Sequence, residues 1–272
     1  MVKKELRIYE ELKIAKKHFL WSNSLIFVLM NNNYEIINSQ VIFAYQRSRD
    51  IRKRQFEFED SLNKLFNVPF SNFAVADEQD GNIPRFEASS KHGFSKLQVS
   101  QYSTNLITNF KDEYRTDIAK IGSYLSDRIS ILKELLGTED NKFSAFIIEL
   151  GFEFDTDSEI NNVLKANTGA NCLNENTNDF SLLYSQEYKQ DYFLNIKCSK
   201  YTESQVKVVN GELIPVEGEQ KRGISIILDI NSKLAHQKKR SIGVEIVDAL
   251  EIETFNILSS YSLEDYLKGN IK

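Results

Sequence analysis

Arg85-Phe86-Glu87-Ala88-Ser89, Phe94-Ser95-Lys96-Leu97-Gln98-Val99-Ser100 and Thr104-Asn105-Leu106-Ile107-Thr108-Asn109-Phe110 follow one another inside the stretch Pro84 to Gly137. Apolar and polar residues alternate in the first two runs, which is the period of a half-buried strand. The spacing predicts neighbours in one antiparallel sheet, continued by the third run. Lys91-His92-Gly93 supplies the turn, because Gly accepts positive φ at no steric cost. The period then changes. Tyr114, Ile118, Ile121, Leu125, Ile129, Leu132 and Leu136 fall three or four apart and form one apolar helical stripe. Gly137 is expected to end that helix as a left-handed cap. Strands leading into a long amphipathic helix make the fold class α+β.

Working outward toward the N-terminus, residues 3–20 alternate charge with apolar positions and predict a helix. Ser24 to Met30 is a continuous apolar run suited to a strand covered on both faces. Asn31-Asn32-Asn33 reads as a turn into a second strand, Glu35 to Tyr45, so residues 24–45 are expected as a hairpin. Arg47 to Phe66 fits a helix through Ile51, Phe58, Leu62, Leu65 and Phe66, with Pro69 marking its exit.

Toward the C-terminus, Phe143 to Phe154 predicts a long strand, and Asp157 is expected to cap a short helix running through Leu164. Residues 167–179 are rich in Asn, Thr and Gly and have the composition of a linker. Further strands are expected at Phe180–Gln186, Tyr192–Lys200, Gln205–Val209 and Gly223–Ile230, with Asn210-Gly211 and Glu217-Gly218 as turn pairs. Residues 242–259 read as a helix, and Ser262 is placed to cap a last short one. The expected architecture is a largely antiparallel sheet in two strand-then-helix halves, with long amphipathic helices packed on it. Residues 1–166 form the N-terminal half, 167–179 the linker and 180–272 the C-terminal half.

Composition narrows the chemistry. A chain of 272 residues buries a substantial core without staples. The net charge of −5 argues against nucleic acid as an obligate partner of the whole chain, since phosphate neutralisation dominates such binding. The charge is uneven: residues 1–54 hold eleven Lys or Arg against five acids, a net +6, which leaves −11 for the rest. Two cysteines, Cys172 and Cys198, with no CxxC spacing, point to a reduced cytoplasmic location. The apolar run from Phe19 to Met30 is interrupted by Ser22-Asn23-Ser24 and preceded by Glu5, Glu10 and Glu11, so it does not read as a secretion signal. No segment has the length of a membrane span, and no membrane partner is expected.

Motifs are sparse. Asp155, Asp157 and Glu159 superficially match a calcium loop, but Ile160 stands where the sharp turn needs Gly and Ala166 where a bidentate Glu is needed. Acids near a helix start explain them more simply. His18, His92 and His236 lie apart without metal-ligand spacing, and there is no GxGxxG or GxxxxGK[ST] loop. No cofactor and no metal site is expected, and enzymatic activity is the less favoured reading. The remaining cluster is Arg47, Arg49, Arg52, Lys53 and Arg54, five cations at one helix start. They read either as a solvated face or as phosphate contacts with steep salt dependence.

The order of elements from Pro84 to Phe154, the Leu228-Asp229-Ile230-Asn231 strand, and the closing helix with Leu250 and Phe255 before Leu263-Glu264-Asp265-Tyr266-Leu267 together resemble a sporadically distributed bacterial family of uncharacterised proteins of about this length. The resemblance covers most of residues 35–268. It implies an α+β fold and carries over no functional residues. With catalytic spacing absent, the expected role is a bacterial protein–protein interaction module or adaptor, partnered by another protein or by a second copy. The family's sporadic distribution suggests a stress, toxin–antitoxin or phage-defence setting. The alternative is a nucleic-acid-binding protein or nuclease using the basic 47–54 segment.

Overall fold

The computed structural model describes residues 34–137, 139–174, 177–209, 212–240 and 242–272, with 205–209 and 212–219 described by backbone alone. The expected helix at 3–20, the strand at 24–30 and the Asn210-Gly211 turn lie outside the described residues.

Among the described residues nine strands form one sheet: β1 (Glu35–Tyr45), β2 (Ser71–Asn72), β3 (Phe86–Ser89), β4 (Ser95–Val99), β5 (Ser103–Asn109), β6 (Asn141–Glu153), β7 (Ser181–Tyr188), β8 (Tyr192–Val209) and β9 (Glu212–Asn231). Their order is β2-β3-β4-β5-β1-β6-β9-β8-β7. Every neighbouring pair is antiparallel. The helices are α1 (Gln55–Leu62), α2 (Ile118–Leu136), α3 (Asp157–Thr168), α4 (Lys233–Gln237), α5 (Ile246–Ser260) and α6 (Leu263–Lys268).

Period-two alternation sets which face is buried. Phe146, Ile148 and Leu150 of β6, Ile224, Ile226, Leu228 and Ile230 of β9, and Leu194, Ile196 and Cys198 of β8 all lie on one side, fully buried. The apolar stripes of α2 and α5 join the same cluster, as do Ile160 and Leu164 of α3. In β1 the parity changes: Ile36 is buried before a bulge at Ile37, and Ser39, Val41, Phe43 and Tyr45 after it. One extra residue re-aims the strand, so both sets face the helices. On the opposite face Ile42, Ile107, Ile147 and Ile227 are half-buried, while Ala145, Ser225 and Asn231 are buried.

Several elements differ from expectation. Tyr114 belongs to a separate 3-10 turn, Asp112–Tyr114, because Asp117 caps α2 and its side chain accepts from the Lys120 N–H. Gly137 is right-handed, at φ −61°, and is no left-handed cap. Its role there is filled by Arg54, which donates to the Leu135 carbonyl that the helix end leaves without a partner. The Arg47–Phe66 helix shrinks to a 3-10 turn over Ile51–Arg54 followed by α1.

Asp157 is not the cap of α3. Thr156 is, in a capping box with Glu159. That helix runs to Thr168, past the expected Leu164, and Gly169 closes it at φ 69°. The first two residues of the expected linker are therefore helical. Glu217-Gly218 is no turn but lies within β9, beside a register shift between Ser204 and Val206 of β8. The two strands expected at 192–200 and 205–209 are one strand.

Beyond the Phe154–Arg222 and Phe180–Lys200 bonds, β8 and β9 pair, among the described residues, only with each other. The base of this two-stranded arm is tied by Arg115, which donates to both carboxylate oxygens of Glu203 at 2.8 and 2.9 Å. Lys221 meets Glu35 at 3.4 Å and Asp112 at 3.6 Å on the same side.

Candidate functional site

The basic run is the first place to look for a working surface, and its members separate. Arg47 donates to the Gln101 side chain at 2.9 Å and to the carbonyls of Asp77 and Gln79 at 2.8 and 3.2 Å. Arg52 donates to the Val75 carbonyl at 2.5 Å and lies 3.4 Å from the Asp77 carboxylate. Arg54 is shared between Glu57 at 2.7 Å and Glu139 at 2.6 Å, and Glu57 is held below the usual carboxylate range chiefly by that hydrogen bond. Three of the five cations thus bind the protein's own loop and helix end. Lys53 is solvent-exposed and pairs with Asp50 at 2.7 Å, and Arg49 is exposed without a described carboxylate partner.

Four of the acids are also occupied. Glu149 accepts from the Asn38 side chain and from Ser225 Oγ at 2.6 Å. Asp229 accepts from Asn195 at 2.8 Å and Asn231 at 3.0 Å. Asp157 meets Lys200 at 3.2 Å and Arg222 at 3.0 Å, and Glu159 closes the helix cap. Among the described residues no group of three His, Cys, Asp or Glu side chains could hold a metal. Cys198 is buried and its thiol is pushed up to about 12 by desolvation, so it stays a protonated core residue. Cys172 is exposed.

Among the described residues, what stands open is an edge of the sheet. The two edges contrast. At one end β2 is two residues long, follows Pro69 and leads into the loop gripped by Arg47, Arg52 and Arg85. Short edge strands and covering loops are devices that prevent unwanted strand pairing. At the other end β7 runs for eight residues in unbroken register with β8, from Ser181 opposite Ser199 to Tyr188 opposite Tyr192. It contains no Pro, Lys or Arg and no bulge.

Alternation fixes what this edge presents. The Phe180 carbonyl accepts from the Lys200 N–H at 3.1 Å, which makes Phe180 and Lys200 a hydrogen-bonded pair. In an antiparallel ladder such pairs alternate with pairs whose N–H and C=O groups point away, so Ser181, Leu183, Ser185 and Glu187 aim their backbone groups outward. No described backbone group outside β8 bonds to the main chain of Ser181–Tyr188. Leu183 is 65% exposed on the open face of the sheet.

The strand is held firmly from behind. The Tyr184 hydroxyl donates to the Tyr266 carbonyl of α6, and Gln186 donates to the Ile271 carbonyl at 2.8 Å. Burial pushes the Tyr188 hydroxyl up to about 12, and Lys189 pairs with Glu253 of α5 at 2.5 Å. A strand fixed in this way loses little further freedom on pairing.

Phe180–Gln186 has the pattern of a strand, but nothing local in it marks an edge. Edge status depends on the order of strands between Glu35 and Asn231, a topological fact without local signature. No family model matches the chain, and no curated protein matches it significantly.

Proposed function

We propose that the chain is a protein-interaction module that recruits an extended segment of its partner by strand addition at β7. The observation that carries this reading is the eight-residue edge with outward backbone groups at Ser181, Leu183, Ser185 and Glu187, beside an exposed Leu183. Main-chain hydrogen bonds to such an edge give affinity, and pockets for alternate side chains give selectivity. The C-terminal half supplies the edge, and the N-terminal half contributes the blunted one. The resemblance to a sporadically distributed bacterial family supports a stress, toxin–antitoxin or phage-defence setting, in which products of neighbouring genes are the first partners to try. The nucleic-acid alternative rests on the 47–54 run, of which Arg49 and Lys53 are exposed to solvent, Lys53 pairing with the equally exposed Asp50.

Leu183→Pro tests the edge cleanly. Proline removes an outward N–H, which β8 does not use, and edge strands tolerate it. The wild-type chain, alone or mixed with neighbouring gene products, is expected to form a complex that light scattering after gel filtration resolves and that Leu183→Pro dissolves. Dissolution of a homodimer identifies a second copy as the source of the strand, and dissolution of a mixed complex identifies the other protein. A complex indifferent to Leu183→Pro, or a wild-type chain that stays monomeric and captures nothing, overturns the reading.

A further inference from the structure

We propose that the cleft between the turn leading into β4, the connection from β5 to α2 and the first two turns of α2 binds a small planar aromatic ring carrying an anionic group. This site is independent of the β7 edge. Its volume is about 400 Å³, within the range of roughly 300–1,000 Å³ common to small-molecule pockets. The floor is Phe110 and Ile121, both buried, and the walls are Phe94, Tyr114 and Tyr124, all half-buried.

The rings stand at steep angles to one another. Phe94 meets Tyr114 at 5.4 Å and 60°, Phe94 meets Tyr124 at 6.4 Å and 56°, and Phe110 meets Tyr124 at 6.4 Å and 75°. They form a concave corner with no slot between any two of them, so a ligand ring would add to the edge-to-face pattern from the open side. The corner is rigid. Tyr124 donates to or accepts from Ser95 Oγ at 2.8 Å, Ser95 Oγ meets Thr108 Oγ1 at 2.8 Å, and the Arg128 guanidinium lies 3.3 Å from the Tyr124 ring centre.

Charge decides the sign of the ligand. The Lys111 ammonium lies 5.2 Å from the Phe94 ring centre, and no described carboxylate pairs with it. An aromatic corner could also attract a cation. Here that place is already taken by Lys111, and a second cation would meet like charge. Lys120 on the rim is paired with Asp117 at 2.8 Å. His92 also borders the cleft, 6.5 Å from Phe94. Glu113 is the single opposing charge among the lining residues and is exposed to solvent, which screens it. An anionic group set against Lys111 therefore gains a charge-assisted hydrogen bond while its ring packs on Phe94 and Tyr124.

Calorimetric titration of the full chain with adenosine 5′-monophosphate and with 1-naphthoate covers the phosphate and carboxylate forms of this chemistry. At least one is expected to saturate a single site. Adenosine should bind about tenfold more weakly than its monophosphate, and inorganic phosphate alone should not bind, since neither offers both parts of the ligand. Lys111→Gln should weaken the anion about tenfold with adenosine unaffected, and Phe94→Leu should weaken both. Leu183→Pro should change nothing, which separates failure here from failure of the edge. Absence of binding by both anions at about 1 mM, or binding that Lys111→Gln leaves intact, overturns the proposal.

Discussion

Arg85 is completely buried, yet it carries a charge. It donates to the carbonyls of Ile83 at 2.7 Å and Asp80 at 3.3 Å and lies 3.5 Å from the Asp77 carboxylate. With Arg47 and Arg52 it makes three guanidinium groups that fix one loop, from Phe73 to Pro84, largely through backbone carbonyls. Removing the buried Arg85 guanidinium takes the donor from the part-buried Ile83 and Asp80 carbonyl bonds and the counter-charge from Asp77, which costs more than one bond contributes. Arg85→Met is therefore expected to lower unfolding stability by roughly 2–4 kcal/mol, read as a shift in urea midpoint at unchanged slope. Arg49→Glu and Lys53→Glu, on exposed side chains, should each change it by less than about 0.5 kcal/mol. The contrast matters for the basic run, since loss of binding in an Arg52 variant would report on the loop as much as on any phosphate contact.

Elements were legible where one local period governs them. Strands β3, β4, β5 and β6 and helices α2, α5 and α6 all follow alternation or a three-to-four spacing in the sequence, and each lies within a few residues of its expected place. What stayed hidden depends on close approach of distant segments. Gly223 opens an apolar strand in the sequence, but its reason is steric. A Cβ there would sit 2.0 Å from the Phe152 carbonyl oxygen and 2.8 Å from the Tyr201 ring. Gly151, on the neighbouring strand, makes room likewise, with a Cβ position 3.1 Å from the Tyr201 hydroxyl. Two glycines thus let Tyr201 lie against the sheet where the β8–β9 arm departs, a use of strand glycine that no periodicity reveals. Gly223→Ala should force the β6–β9 ladder apart at that point, with a loss of roughly 2–4 kcal/mol and faster amide exchange in Phe152 and Phe154. The candidate edge was hidden for the same kind of reason: β7 reads as an ordinary alternating strand until the order of its neighbours is known.

For the whole molecule, the decisive contact is the pairing of β6 with β9, nine residue pairs from Ala145 opposite Asn231 to Glu153 opposite Gly223. These strands lie on opposite sides of the 167–179 segment, yet their side chains enter one hydrophobic cluster with α2, α3 and α5. Lys200 of β8 adds a bond across the same divide, to Asn161 of α3 at 3.2 Å, and Arg115 binds Glu203. Separating the two halves would expose that ladder and the apolar faces of β6 and β9 together. Burial of even four such Ile or Leu side chains is worth on the order of 6–12 kcal/mol, comparable to the total stability of a domain, about 5–15 kcal/mol. Proteolytic nicking at the exposed Asn171-Cys172 or Asn178-Asp179 bond is therefore expected to leave both fragments in one particle on gel filtration, unfolding in a single thermal transition. Two particles, or two transitions that different probes resolve separately, would show that each half has a core sufficient for itself, and would make the β6–β9 seam a docking contact between domains.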